Sequence, residues 1–235
     1  MPMSEPHELP AASEAEVHPV GAEADAPVTR KRPRPGERRV QILQTLASML
    51  EQPATERITT AALAARIGVS EAALYRHFAS KAQMFEGLID FIEQTVFSLS
   101  RQMIDREANA DPDPATLGRR QATRVMFLLM QFAEKNPGMV RVMCGDALVL
   151  EHERLQQRMN QFFDRLESTL RQCLRPWLEG LGATRPTVEA QIRASALCAL
   201  VMGRYHRFVR SGFKRLPSEF LSESLELLLA PVSGH

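Results

Sequence analysis

The sequence predicts an all-α chain: a three-helix helix-turn-helix head followed by a larger helical body whose last two helices form a dimer bundle. Three observations predict it. Strand signals are scarce, with no sustained alternation of Val, Ile, Thr and Tyr. From Glu37 onward, apolar residues recur at spacings of three and four in one segment after another. Residues 57–81, RITTAALAARIGVSEAALYRHFASK, place cap residues and a turn glycine where two short helices must meet at an angle.

Residues 1–29 hold six acidic side chains, no Lys or Arg and no aromatic residue. Such a segment cannot bury enough apolar surface to offset its ordering entropy, so a disordered acidic tail is expected. Residues 30–39, RKRPRPGERR, carry six positive charges, and Pro33, Pro35 and Gly36 oppose an early helix. The tail and arm together are assigned to 1–36, with the arm suited to phosphate or a minor groove. The head is assigned to 37–81. Its first helix carries Ile42, Leu43, Leu46, Met49 and Leu50 and is expected to stop at Pro53. Thr59 and Thr60 are N-cap candidates for the second helix. Gly68 turns the chain with positive φ, and Ser70 caps a third helix reaching about His77. The expected head core is Ile42, Leu46, Leu50, Ile58, Leu63, Ile67, Val69, Leu74 and Phe78.

The body is assigned to 82–235. A long helix is expected from Ser80 to about Glu107, ended by Asp111-Pro112-Asp113-Pro114. The next runs from about Ala115 to Lys135, and its Val125–Met130 run is apolar on nearly all sides, as in a central helix. A short helix after Pro137 follows. Residues 147–175 are the longest periodic segment, with a kink or restart expected at Pro176. Residues 188–211 and Ser218 to Ala230 form the last two helices. The first of these is crowded with Ala194, Ser195, Ala196, Ala199 and Gly203, which allows close approach of another helix.

The net charge of +1 hides a segregation. Residues 30–90 hold ten Lys or Arg against six Asp or Glu, the greatest basic excess per residue in the chain. That is the electrostatic footprint a phosphate backbone requires. The front of the third helix presents Ser70, Glu71, Ala72 and Ala73. Ser can bond to base edges, Glu can accept from a cytosine amino group, and an Ala methyl can meet a thymine methyl. Glu71 is also simply favourable at a helix N-terminus. Thr59 and Thr60 can hold a phosphate, and Tyr75, Arg76, His77 and Lys81 lie where the helix meets the flanking backbone.

Other chemistries find no support. Neither GxGxxG nor GxxxxGK[ST] is present, no His, Cys, Asp and Glu stand at metal spacing, and no carboxylate pair stands out. No enzyme, cofactor or metal is expected. Cys144, Cys173 and Cys198 read as small buried hydrophobes in a reducing cytosol. There is neither a signal-peptide pattern nor an apolar run long enough to cross a bilayer, so the chain reads as cytoplasmic.

The stretch from Ile58 to Lys81, above all Tyr75-x-His77-Phe78 and Ser80-Lys81, resembles the DNA-binding head of the TetR family. That resemblance implies an all-α homodimer whose last two helices form the dimer bundle. Further runs resemble the nucleoid-occlusion members of the family: MFEGLIDFIE, the Phe132–Gly138 run, LVLEHERLQQRMNQFFDRLE, and RFVRSGFK at Arg207 to Lys214. This second resemblance implies a nucleoid-associated dimer that binds palindromic double-stranded DNA and, when bound, antagonises assembly of the division protein FtsZ. It places the FtsZ surface at Phe91, Leu128, Gln131, Lys135 and Asn136. Gln131 stands where the pattern has a small residue and Lys135 where it has Arg. By periodicity alone, Phe91 and Leu128 would be core. The competing function for the same fold is a transcriptional repressor gated by a small molecule, which needs convergent polar groups in the body.

Overall fold

Ile42, Leu46 and Leu50 fall on one face of α1 (Glu37–Leu50), and all three are buried. The computed structural model describes residues 36–52, 58–149 and 151–231. The expectations for the acidic tail, most of the basic arm and Pro53 lie outside the described residues. Against α1 pack α2 (Thr60–Ile67) and α3 (Glu71–Tyr75). Leu63, Leu74 and Phe78 complete the buried centre of the head, with Ile58, Ile67 and Val69 half-buried at its margin. The turn between α2 and α3 depends on Gly68 at φ 77°, where its N–H reaches the Ala64 and Ala65 carbonyls. A side chain there would be strained.

The α3 helix ends at Tyr75, earlier than the expected His77. Its last N–H donors instead close a turn, with His77 and Phe78 donating to the Leu74 carbonyl and driving Phe78 into the core. Arg39 reinforces this turn. Its Nη1 donates to the His77 carbonyl at 2.9 Å, and its guanidinium lies 4.1 Å over the Phe78 ring.

Head and body are joined by α4 (Lys81–Ala110), continuous over 30 residues and capped by Ser80. Asp113 caps α5 (Pro114–Lys135), whose Pro114 occupies the first turn, where its missing N–H costs nothing. Val125, Met126, Leu129 and Met130 are fully buried, as a central helix requires. A second joint is made by α6 (Pro137–Met143). Gly138 lets α6 approach α1 so closely that a Cβ would collide with the Ala47 carbonyl oxygen. Arg141 of α6 also donates to the Leu50 and Gln52 carbonyls at the end of α1.

A 3-10 turn (Asp146–Leu148) precedes α7 (Glu153–Gly180), so the periodic segment starts as a helix six residues later than expected. It also runs through Pro176 without a restart, contrary to expectation. Pro176 removes the N–H that would bond the Gln172 carbonyl, but both residues are exposed and water can serve that carbonyl. On the other face Cys173, Leu174, Trp177 and Leu178 are buried and hold the final turns in place.

The α8 helix (Pro186–Arg210) packs on α7 and α5, and the Tyr205 hydroxyl donates to the Leu129 carbonyl at 2.7 Å. The last helix, α9 (Leu221–Leu228), is shorter than expected because Pro217 to Phe220 form a turn held by Arg204. Burial pushes the Cys173 thiol up to about 12 and that of Cys198 up to about 11. Burial and the nearby Asp146 raise Cys144 to about 12. None of the three is a ready thiolate at neutral pH. Among the described residues there is no strand, and no helix is long and apolar enough to cross a membrane.

Candidate nucleic-acid interface

The caps hold the outer face of the head. Thr59 is the N-cap of α2, its hydroxyl oxygen accepting from the Ala62 N–H at 3.1 Å, and Ser70 does the same for α3 with Ala73 at 3.3 Å. Each hydroxyl keeps its proton to donate, so Thr59 and Ser70 remain fit for a phosphate or base acceptor. Thr60 is not a cap. Its hydroxyl donates to Glu71 Oε2 at 2.5 Å and receives the Tyr75 hydroxyl at 3.4 Å. This chain crosses from α2 to α3 and fixes their angle.

Glu71 therefore has a second task besides any base contact. Its carboxylate is tied to Thr60 on the exposed surface, leaving one oxygen for a cytosine amino group. Glu71→Ala is expected to cost about 0.5–1 kcal/mol of stability and to relax base preference in a binding-site selection. Unchanged preference would remove Glu71 from the reading surface. Ala72, Tyr75, Arg76 and His77 are exposed around it, with Ala73 half-covered.

Lys81 differs most from expectation. Rather than standing open toward flanking phosphate, its Nζ lies 2.5 Å from Glu151 Oε1, just before α7, and 5.6 Å over the Phe85 ring. The contact belongs to a set along α4 and α7. Arg154 Nε meets Glu86 Oε1 at 2.7 Å, and Arg158 meets Asp90 Oδ1 at 2.8 Å and Glu93 Oε2 at 2.6 Å. Desolvation works against the Arg158 charge, but its bonds to Asp90 and Glu93 outweigh that and raise its pKa above the usual arginine value. Sequence reasoning missed these pairs. The i, i+4 spacing of Arg154 and Arg158 was visible, but which helix faced them was not.

The second candidate surface divides. Phe91 is 47% exposed and so is not core, whereas Leu128 is 8% exposed and packs inward. Gln131 and Lys135 are exposed on α5, and Asn136 donates from Nδ2 to the Phe132 carbonyl at 2.8 Å, ending α5.

Comparison with known proteins decides the family. The description "Bacterial regulatory proteins, tetR family" matches residues 42–88, and "Tetracyclin repressor-like, C-terminal domain", of SlmA-like type, matches residues 116–232. The nucleoid occlusion factor SlmA of Vibrio vulnificus is 50% identical over 196 residues, covering 83% of this chain and 95% of the relative. That of Idiomarina loihiensis is 48% identical over 191 residues, covering 81% and 93%. The chain belongs to the TetR family, in its SlmA branch. Solved TetR-type structures share the fold. FadR of Bacillus subtilis, in complex with stearoyl-CoA, has TM-score 0.62 at 15% identity over 81% of this chain and 97% of its own. A TetR-family regulator from Bordetella parapertussis has TM-score 0.62 at 15% identity over 84% and 96%. As a member of this family the chain is a DNA-binding protein and not an enzyme.

Proposed function

We propose that this protein is a nucleoid occlusion factor: a homodimer that binds palindromic chromosomal DNA and, while bound, antagonises FtsZ assembly so that septa do not form over the nucleoid. The observation that carries this is its near 50% identity to SlmA proteins along almost their whole length. It acts in the cytoplasm, on the nucleoid. In this reading residues 37–81 read DNA, with Thr59, Ser70, Glu71, Ala72, Ala73, Tyr75, Arg76 and His77 at the duplex. Residues 82–235 dimerise and bind the partner.

Dimerisation is supported by an unpaired apolar stripe. Val188, Ile192 and Met202 are exposed on α8, and Leu227 on α9 is 81% exposed. Two such helices with their symmetry mates make a four-helix bundle that would cover them. The partner surface is supported by exposed Phe91, Gln131 and Lys135, with Asn136 beside them and Leu128 as a buried support. An aromatic anchor beside a cation suits an apolar, acidic peptide segment.

A ligand-gated repressor would need polar groups converging inside the body. The inward face of α5 instead meets apolar side chains, and the Tyr205 hydroxyl is already committed to the Leu129 carbonyl. The deciding experiment is FtsZ sedimentation with GTP, with and without a DNA palindrome. FtsZ recovered in the pellet is expected to fall only when protein and duplex are both present. Lys135→Glu is expected to leave DNA affinity intact and restore the pellet. A pellet still suppressed by that variant would displace the surface from α5.

A further inference from the structure

The ion pairs between α4 and the start of α7 form three rungs, and the first is reversed. In the second and third, α4 supplies the carboxylates (Glu86, then Asp90 and Glu93) and α7 the guanidinium groups of Arg154 and Arg158. In the first, α4 supplies the cation Lys81 and the segment before α7 supplies Glu151. Polarity decides what an approaching phosphate can do. It repels the carboxylates of the lower rungs but attracts the lysine of the first, which stands at the head end of α4, one residue after the Ser80 cap.

Glu151 cannot lose its lysine without consequence. Its side chain is only 7% exposed, against 20% for Lys81, and a carboxylate in that setting must gain another donor or move into water. Movement is open to it. Val149, Glu151 and His152 lie outside any helix, and Val149 is exposed. The next residue along has a stake in the same position. His152 caps α7 by accepting from the Arg154 N–H at 3.2 Å, so displacing Glu151 disturbs that cap and the Arg154–Glu86 rung. The following rung reaches Asp90, the neighbour of exposed Phe91.

We propose that Lys81 is a shared cation, held by Glu151 in the free protein and by a DNA phosphate in the complex. DNA binding thereby opens the first rung and loosens the start of α7 from α4 beside Phe91. The proposal rests on the DNA-binding role of the head and supplies a route from duplex to body. Both states of the switch are defined by one side chain with two alternative anionic partners, which is the differential contact that coupling requires.

The test uses the full chain and a labelled mixed-sequence duplex, read by fluorescence anisotropy and by hydrogen exchange at residues 151–158. Removing the competing carboxylate in Glu151→Gln is expected to tighten DNA binding about fivefold, the worth of a partly exposed ion pair. Lys81→Met is expected to weaken binding, and in that background Glu151→Gln should change nothing further, the non-additivity of a shared contact. In wild-type protein, exchange at 151–158 should accelerate when duplex is added; in Glu151→Gln it should be fast already. Affinity unchanged or lowered in Glu151→Gln overturns the proposal, as does wild-type exchange indifferent to duplex. The wild-type exchange result needs no variant to fold. Failure of wild-type protein to bind the duplex at all would instead remove the DNA-binding role, and the switch with it.

Discussion

Gly138→Ala is expected to destabilise the protein by about 3 kcal/mol, a loss that lowers Tm by roughly 6–12 °C in a chain of this size. Helix propensity alone predicts the opposite sign, since Ala is favoured over Gly in a helix by about 1 kcal/mol, and Gly138 lies within α6. The neighbours decide. An added Cβ would collide with the Ala47 carbonyl oxygen and stand 3.1 Å from the Leu50 Cβ. The first obstacle is backbone and cannot rotate away, so α6 must withdraw from α1. That movement also pulls Arg141 from the carbonyls it caps at the end of α1. Thermal unfolding measures the effect, and a Tm at or above wild type would show that the two helices are not in such close contact. Gly118 faces the same constraint against Cys173 and Trp177, which ties α5 to α7.

Ala72→Glu is expected to weaken DNA binding by at least about 100-fold while leaving Tm nearly unchanged. Ala72 is exposed in the first turn of α3, where a carboxylate is tolerated by the helix and even favoured by its dipole. Facing a duplex, the same charge meets phosphate and acceptor-rich base edges and cannot be hydrated, a penalty of about 3 kcal/mol or more. Anisotropy with a palindromic duplex, beside a thermal melt, separates the two effects. Normal affinity in this variant would mean that the front of α3 does not face DNA.

Much of the head was legible because its signals are local. A threonine before an apolar run, a glycine that must turn and a serine before the next run each act on neighbours within four residues. The structure places Thr59, Gly68 and Ser70 in those tasks. Of the two adjacent threonines, only the structure chose the cap, because both have the right chemistry and the choice depends on where α2 begins. Pro176 misled for a related reason. Its local effect is real, but burial of Trp177 and Leu178 outweighs one lost hydrogen bond.

Sequence by itself determined the all-α class, the head and the positions of nearly every helix, because periodicity and capping are properties of contiguous residues. It also located the cations and carboxylates, without their partners. Tertiary structure alone decided that Lys81 faces Glu151 rather than open solvent, that Phe91 is exposed while Leu128 is buried, and that α6 seats on α1 through Gly138. Those facts join residues as much as 91 positions apart, as Arg141 and Leu50 are. Pairing at that range is set by how helices pack and by which charge then lies opposite which, and no local pattern encodes it.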